Sequence, residues 1–257
     1  EEVVKVVHEH VLAGSVLIKI MATGDVMTPG VNPEDAHYSA AEMKAGISEA
    51  HRFHKCCASH AQGALGILNA VRAGIDSIEH GIFMTEECIT EMKEHGVWLV
   101  PTLAAVKNIL KGYDDGDRSI PDYVIEKARR VFDRHIASIK MYYKAGGRIA
   151  MGTDAGTPHN RHGENARELE YMCDIGIATR DSLFFATAGA ADLMRLADQG
   201  RIREGNSADF VLCDGDALAD IKRAARKENH RMVVKRGIAA RDNRAAFVRQ
   251  AARIAAE

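Results

Sequence analysis

The sequence predicts a parallel α/β barrel, and three observations carry that prediction. Short apolar runs alternate with helical patterns along most of the chain. Four of those runs end in a side chain able to bind a metal: Lys19 in "SVLIKIMATG", His60 in "KCCASHAQG", His80 in "SIEHG" and Asp154 in "RIAMGTDAGT". Each of the four is followed by a turn. A parallel barrel builds its site in this way, from residues at the carboxyl ends of its strands, with helices returning the chain between them.

The elements follow in order. Val3, Val4, Val7 and Val11 fall at helical spacing and Gly14 stops that helix. A strand over 15–22 comes next. Ser39 followed by Glu42 is a capping box that opens a helix running to about His54. Strand 56–60, helix 63–73 ending at Gly74, strand 75–79, helix 85–95 ending at Gly96 and strand 97–102 complete a regular alternation. Residues 103–146 are mostly helical, broken by the polar "GYDDGDRSIP", and Met141-Tyr142-Tyr143 is read as core. Strand 148–153 then leads into "GTDAGTPHNRHGEN", with helices at about 164–175 and 180–197. This alternation calls for a parallel sheet with helical crossovers. After Gly200 the texture changes to short strands at about 208–213 and 231–236 and an Ala/Arg-rich tail beyond residue 241, read as a terminal helix or a fraying end. The expected division is therefore 1–200 for the barrel portion and 201–257 for part of a small β-rich domain and tail.

Composition narrows the function classes. The 257 residues suffice for one barrel or two smaller domains, and 46% hydrophobic with 27% charged residues is ordinary for a globular protein. A formal net charge of -2 gives no electrostatic reason to expect nucleic acid or an anionic membrane as partner. No apolar run reaches the ~18 residues of a membrane span. The five cysteines are an odd number without zinc-like spacing, and Cys56 and Cys57, adjacent in a strand, point to opposite faces. Reduced thiols in a cytoplasmic protein are the expectation. The chain starts at Glu1 rather than Met, so a missing secretory signal carries little weight.

The four strand-end residues suggest one chemistry. His60 and His80 offer imidazole nitrogens to a divalent metal and Asp154 an oxygen. A Lys ammonium beside a metal is disfavoured, but a neutral Lys amine reacts with carbon dioxide to a carbamate whose two oxygens can bridge two cations. Two metals sharing a hydroxide lower the pKa of water towards ~7, and Asp154 could take the proton and pass it to a leaving group. Two other readings compete. Lys19 could be a Schiff-base nucleophile in an aldolase-type barrel, which leaves His60, His80 and Asp154 without a shared role. Alternatively the chain is a truncated or degenerate, non-catalytic fragment.

The stretches "IKIMATG", "SHAQG", "SIEHG", "VPTL", "GTDAGTPHNRHGENARELE" and "GRIREGNSADFVLCDGDALADI" resemble the C-terminal part of the amidohydrolase superfamily. Within it, the similarity is to the branch around imidazolonepropionase-related enzymes, metal-dependent Xaa-Pro dipeptidases and ochratoxinase-like carboxypeptidases. The resemblance implies a TIM-type (β/α)8 metal-dependent hydrolase barrel, of which only the fourth to eighth strands run through this chain, joined to the C-terminal part of a small β-sandwich domain. It implies that Lys19 is the carboxylated lysine bridging two zinc ions, that His60 and His80 are ligands, and that Asp154 is both ligand and proton shuttle. The implied activity is hydrolysis of amide C–N bonds in dipeptides or N-acyl amino acids. Tyr38, His159, Arg161 and His162 are candidates for binding the substrate, Arg161 by gripping a carboxylate.

The family's His-x-His pair at the end of the first strand has no counterpart here. His8-Glu9-His10 has the right letters but lies in a helical pattern, where residues two apart diverge by about 200°. An open barrel exposes strand edges and apolar helix faces, so a homo-oligomer is expected. Thr102 is read as a packing residue at the rim. His37, His51, His54, His95, His135 and His230 are read as surface residues.

Overall fold

The computed structural model describes residues 1–245. From residue 246 onward the Ala/Arg-rich tail lies outside the described residues. The chain divides into two compact units, Glu1–Arg161 and His162–Glu257.

The first unit carries a four-stranded parallel sheet in the order β1-β2-β3-β4, with helices returning the chain between strands. Helix α1 (Glu2–Leu12) leads into β1 (Leu17–Met21), followed by α2 (Ala40–Arg52), β2 (Cys56–Ala61), α3 (Ala64–Ala73) and β3 (Ser77–His80). Helix α4 (Glu86–Glu94), β4 (Trp98–Val100), α5 (Leu103–Asp114) and the long α6 (Asp122–Lys144) complete it. Strands running parallel with helical crossovers form a partial barrel of the TIM type.

The local signals do what their chemistry requires. Ser39 accepts from the Glu42 backbone N–H while the Glu42 carboxylate accepts from the Ser39 N–H, so both halves of the capping box are formed at α2. Thr85 caps α4 through the Cys88 N–H. Gly74 ends α3 at φ +93°, a conformation open to glycine at little cost. Gly66 in α3 allows a close approach: a Cβ there would lie 2.3 Å from Thr23 Cγ2. The helix thereby packs tightly beside the turn that follows β1.

Two expectations need correction. The strand at 148–153 is reduced to one parallel bridge, Leu99 to Ile149, held by Leu99 N–H to Arg148 O (2.9 Å) and Ala150 N–H to Leu99 O (3.0 Å). Its neighbour β4 is only three residues long, and glycines bracket the segment: Gly147 sits against the Tyr142 ring and Gly152 against Val100. The helix expected at 180–197 is broken into α8 (Thr179–Phe184), a π-helical turn at Phe185–Gly189 and α9 (Ala190–Leu193). There the Thr187 hydroxyl donates to Leu183 O, and the Thr187 carbonyl lies where a Cβ on Gly200 would come within 2.6 Å.

The second unit contains α7 (Arg167–Asp174), α8, α9 and α10 (Lys222–Ala225), with an antiparallel sheet of β5 (Phe210–Cys213), β6 (His230–Lys235) and β7 (Ile238–Asp242). The strand β7 was not expected from sequence. A bidentate Arg226–Glu170 pair ties the end of α10 to α7.

None of the five cysteines is in a disulfide, and no helix among the described residues is long and apolar enough to cross a membrane. Of Met141-Tyr142-Tyr143, Tyr142 is fully buried with its hydroxyl donating to Val97 O (2.7 Å), whereas Met141 is exposed.

Replacing Ser39 by Ala should cost about 1 kcal/mol of unfolding free energy, read as a lowered urea midpoint at unchanged slope. Gly66→Ala should cost more, about 1–3 kcal/mol, because the added methyl forces α3 away from Thr23. Equal stability of Gly66→Ala and wild type would show that the contact is not a constraint.

Candidate active site

The register of the sheet assembles the site. Lys19 pairs with Ala58, Met21 with His60, and His60 with Glu79, so these side chains share one face. His80 pairs with Ala61, which by strict alternation would send its imidazole to the opposite, helix-packed face. Its backbone instead takes φ +73°, and the side chain is delivered to the same cavity as His60. Thr102 and Asp154, at the following two strand ends, share this left-handed conformation with φ +54° each. Such backbone costs about 1 kcal/mol or more per non-glycine residue and persists only where neighbours over-determine it.

Lys19, His60, His80 and Asp154 line one cavity of about 230 Å³. The rings of His60 and His80 meet edge to face with centroids 4.6 Å apart. His60 Nε2 lies 3.0 Å from Gly24 O. A carbonyl only accepts, so Nε2 carries the proton and Nδ1 keeps a lone pair. His80 Nδ1 lies 2.6 Å from Thr102 Oγ1. In the tautomer that leaves Nε2 free, Nδ1–H donates to that hydroxyl. Burial holds both imidazoles below the ordinary histidine range, His80 well below, and the Lys19 charge acts in the same direction. Both rings are therefore neutral near pH 7, the form in which imidazole binds a metal. Glu79, beside them, is pushed up by burial, against a hydrogen bond from Ser77 Oγ (2.7 Å) and the Lys19 charge.

Several residues that sequence reasoning missed complete the site. Asp25 lines the cavity, with its carboxylate accepting from Met27 N–H, Thr28 N–H (both 2.7 Å) and the Thr28 hydroxyl (2.8 Å). Burial pushes this carboxyl up, but the bonds from Thr28 and Met27 outweigh it and hold the group below its usual range. The Asp-x-x-Thr spacing of "DVMT" is the signal that marks this turn. Gln62 also lines the cavity; its Oε1 is buried with no hydrogen-bond partner among the described residues. Asn160 is buried and donates to Thr153 O (2.6 Å) and Asp154 O (3.0 Å), fixing the turn that carries Asp154.

Two sequence assignments change. Thr102 does more than fill space, since it is the partner of His80 Nδ1. His135 is not a surface residue: it is fully buried on α6, with Nε2 donating to Pro101 O (2.8 Å) and burial lowering its pKa to about 4. Its place in the stripe Val124, Ala128, Val131, His135, Ser138, Tyr142 was the available signal.

The four substrate candidates lie outside the residues that line this cavity. His159 pairs with Asp117 at 2.8 Å and lies over Gly112. Tyr38 is at the surface, its carbonyl accepting from Asn69. Arg161 is exposed at the end of the first unit and His162 exposed at the start of the second. His8 and His10 lie on α1, as the helical pattern required, and His8 pairs with Glu49.

A sequence model described as "Amidohydrolase family" matches residues 1–239. The ochratoxinase of Aspergillus niger is 32% identical over 227 residues, covering 86% of this chain and 45% of that protein. A solved Xaa-Pro dipeptidase with methionine bound in its active site superposes with a TM-score of 0.84 at 33% identity, covering 93% of this chain and 57% of the other. A prolidase complexed with N-methylphosphonate-L-proline superposes with a TM-score of 0.87 at 29% identity, covering 93% and 58%. The chain thus spans about half the length of the relatives it matches. With the family match running through both units, and the parallel sheet and its strand-end residues in place, this chain belongs to the amidohydrolase family.

Proposed function

We propose that this chain carries the catalytic wall of a metal-dependent hydrolase that cleaves amide C–N bonds in dipeptides or N-acyl amino acids. The observation that carries the reading is the convergence of Lys19, His60, His80 and Asp154 on one cavity with both imidazoles neutral. The likeness to an ochratoxinase, an Xaa-Pro dipeptidase and a prolidase supports an amino-acid-derived substrate.

The donor set fits two divalent ions, zinc in this reading. His60, His80 and Asp154 would hold them, together with the carbamate that carbon dioxide forms on the Lys19 amine. When bound, the metals polarise the scissile carbonyl and make water acidic enough to ionise near neutral pH. Asp154 takes the proton released by the attacking water and hands it to the leaving nitrogen, which returns its carboxylate unchanged. Thr102 holds the His80 ring so that Nε2 faces the cavity. Arg161 is the candidate for a bidentate grip on a substrate carboxylate, with Tyr38, His159 and His162 as further contacts. Cytoplasmic residence, in keeping with five cysteines outside any disulfide, and self-association belong to the same reading.

The protein should contain divalent metal by elemental analysis, lose turnover of dipeptides or N-acyl amino acids on chelation, and regain it with zinc. His80→Ala should lose both metal and turnover. Asp154→Asn should keep the fold and drop kcat by about 10²- to 10⁴-fold. Thr102→Val, which removes only the partner of His80 Nδ1, should cost about 10- to 100-fold in metal affinity or activity. Folded protein with no metal and no turnover of either substrate class would overturn the proposal.

A further inference from the structure

The segment between β1 and α2 forms one wall of the cavity: Asp25, Val26, Met27 and Thr28 all line it. Its backbone is held from outside by one face of α6. Tyr123, Lys127 and Arg130 recur at i, i+4 and i+7, which places them in a single stripe. The Tyr123 hydroxyl donates to Met27 O (2.9 Å). The Lys127 ammonium donates to Thr28 O (2.8 Å) and Val31 O (2.5 Å), with Asp25 O at 3.4 Å. Arg130 donates to Asn32 Oδ1 (2.6 Å). Beneath this stripe Val26 is buried in one apolar cluster with Val124, Ala128 and Val131 of α6.

Three features separate this from ordinary surface bonding. All of the Tyr123 and Lys127 bonds go to main-chain carbonyls, so they fix the path of the loop whatever side chains it carries. A Lys ammonium has three N–H donors and no acceptor, and this one faces three carbonyls of the same segment, those of Asp25, Thr28 and Val31. Its charge makes those bonds stronger than neutral ones. The segment held in this way is the one whose residues Asp25, Val26, Met27 and Thr28 line the cavity.

We propose that Tyr123, Lys127 and Arg130 form a positioning stripe that sets the substrate-facing wall of the cavity, with Lys127 its central residue. Lys127 touches no candidate ligand; it acts through the backbone of residues 25–31. Its kinetic consequence rests on the hydrolase reading above, but its structural consequence does not.

The test is hydrogen exchange followed by mass spectrometry on the full chain, comparing wild type, Lys127→Met and Tyr123→Phe, with kcat and KM measured in parallel. Lys127→Met keeps the apolar stem and removes the charge. Exchange across residues 25–31 should rise by about 10- to 100-fold, the scale of losing hydrogen bonds to a charged group, while β2 and β3 exchange as in wild type. Tyr123→Phe should give a smaller rise, about 2- to 10-fold, in the same segment, and covers the case in which Lys127→Met fails to fold. KM should rise more than kcat falls, because the wall binds substrate without touching the reacting bond. Unchanged exchange at 25–31 in both variants, or a rise shared equally by β2 and β3, would overturn the proposal. Loosening confined to this segment in a protein that hydrolyses nothing would uphold the stripe and sink the hydrolase reading.

Discussion

The constraint on which this structure depends is that candidate functional side chains at different depths of the sheet, Lys19 mid-strand in β1, His60 near the end of β2 and His80 at the last residue of β3, must reach one cavity. A parallel register brings the strand ends to one rim but leaves alternate residues on opposite faces. His60 and Lys19 meet the cavity by register alone, whereas His80 reaches it only by adopting φ +73°. That conformation needs support, and the surrounding bonds supply it. Thr102 holds the His80 ring, His135 holds the carbonyl of Pro101 just before Thr102, and Asn160 holds the carbonyls of Thr153 and Asp154. The strained residues and their partners form one connected rim, which argues for a preorganised site rather than a flexible one.

The same enclosure sets the electrostatics. Burial keeps His60 and His80 neutral, and their closeness to Lys19 adds to that effect. Two neutral imidazoles beside an amine and a carboxylate bring metal-competent groups to one cavity. Here His60 is fixed through Nε2 and His80 through Nδ1, so each ring keeps one nitrogen for another partner.

Much of this was legible in the sequence because it rests on short-range signals. The capping box at Ser39 and the glycine stop at Gly74 are local patterns that stand where the sequence put them, and Lys19, His60, His80 and Asp154 line one cavity, although Lys19 lies in the middle of β1 rather than at its end. What escaped depended on contacts distant in sequence. His135 looks like a surface histidine until α6 is laid against the end of β4, 34 residues away, where Pro101 O accepts a hydrogen bond from its Nε2–H. The strand at 148–153 was over-read because apolar character cannot say how many neighbours a strand will find, and β4 offers it only three residues. Asp25 and Gln62 carried weaker marks, and only the closing of the cavity gives them a role.

The way α6 grips the cavity wall bears on how one fold can serve several substrates. Bonds from Tyr123 and Lys127 to carbonyls constrain the backbone of 25–31 but make no demand on its side chains. A substitution at Met27 can then change what the cavity presents, whereas Asp25 and Thr28 also hold the turn through their own side chains. The residues that would perform the chemistry are fixed differently, by strand register and by side-chain bonds such as that between His80 Nδ1 and the Thr102 hydroxyl.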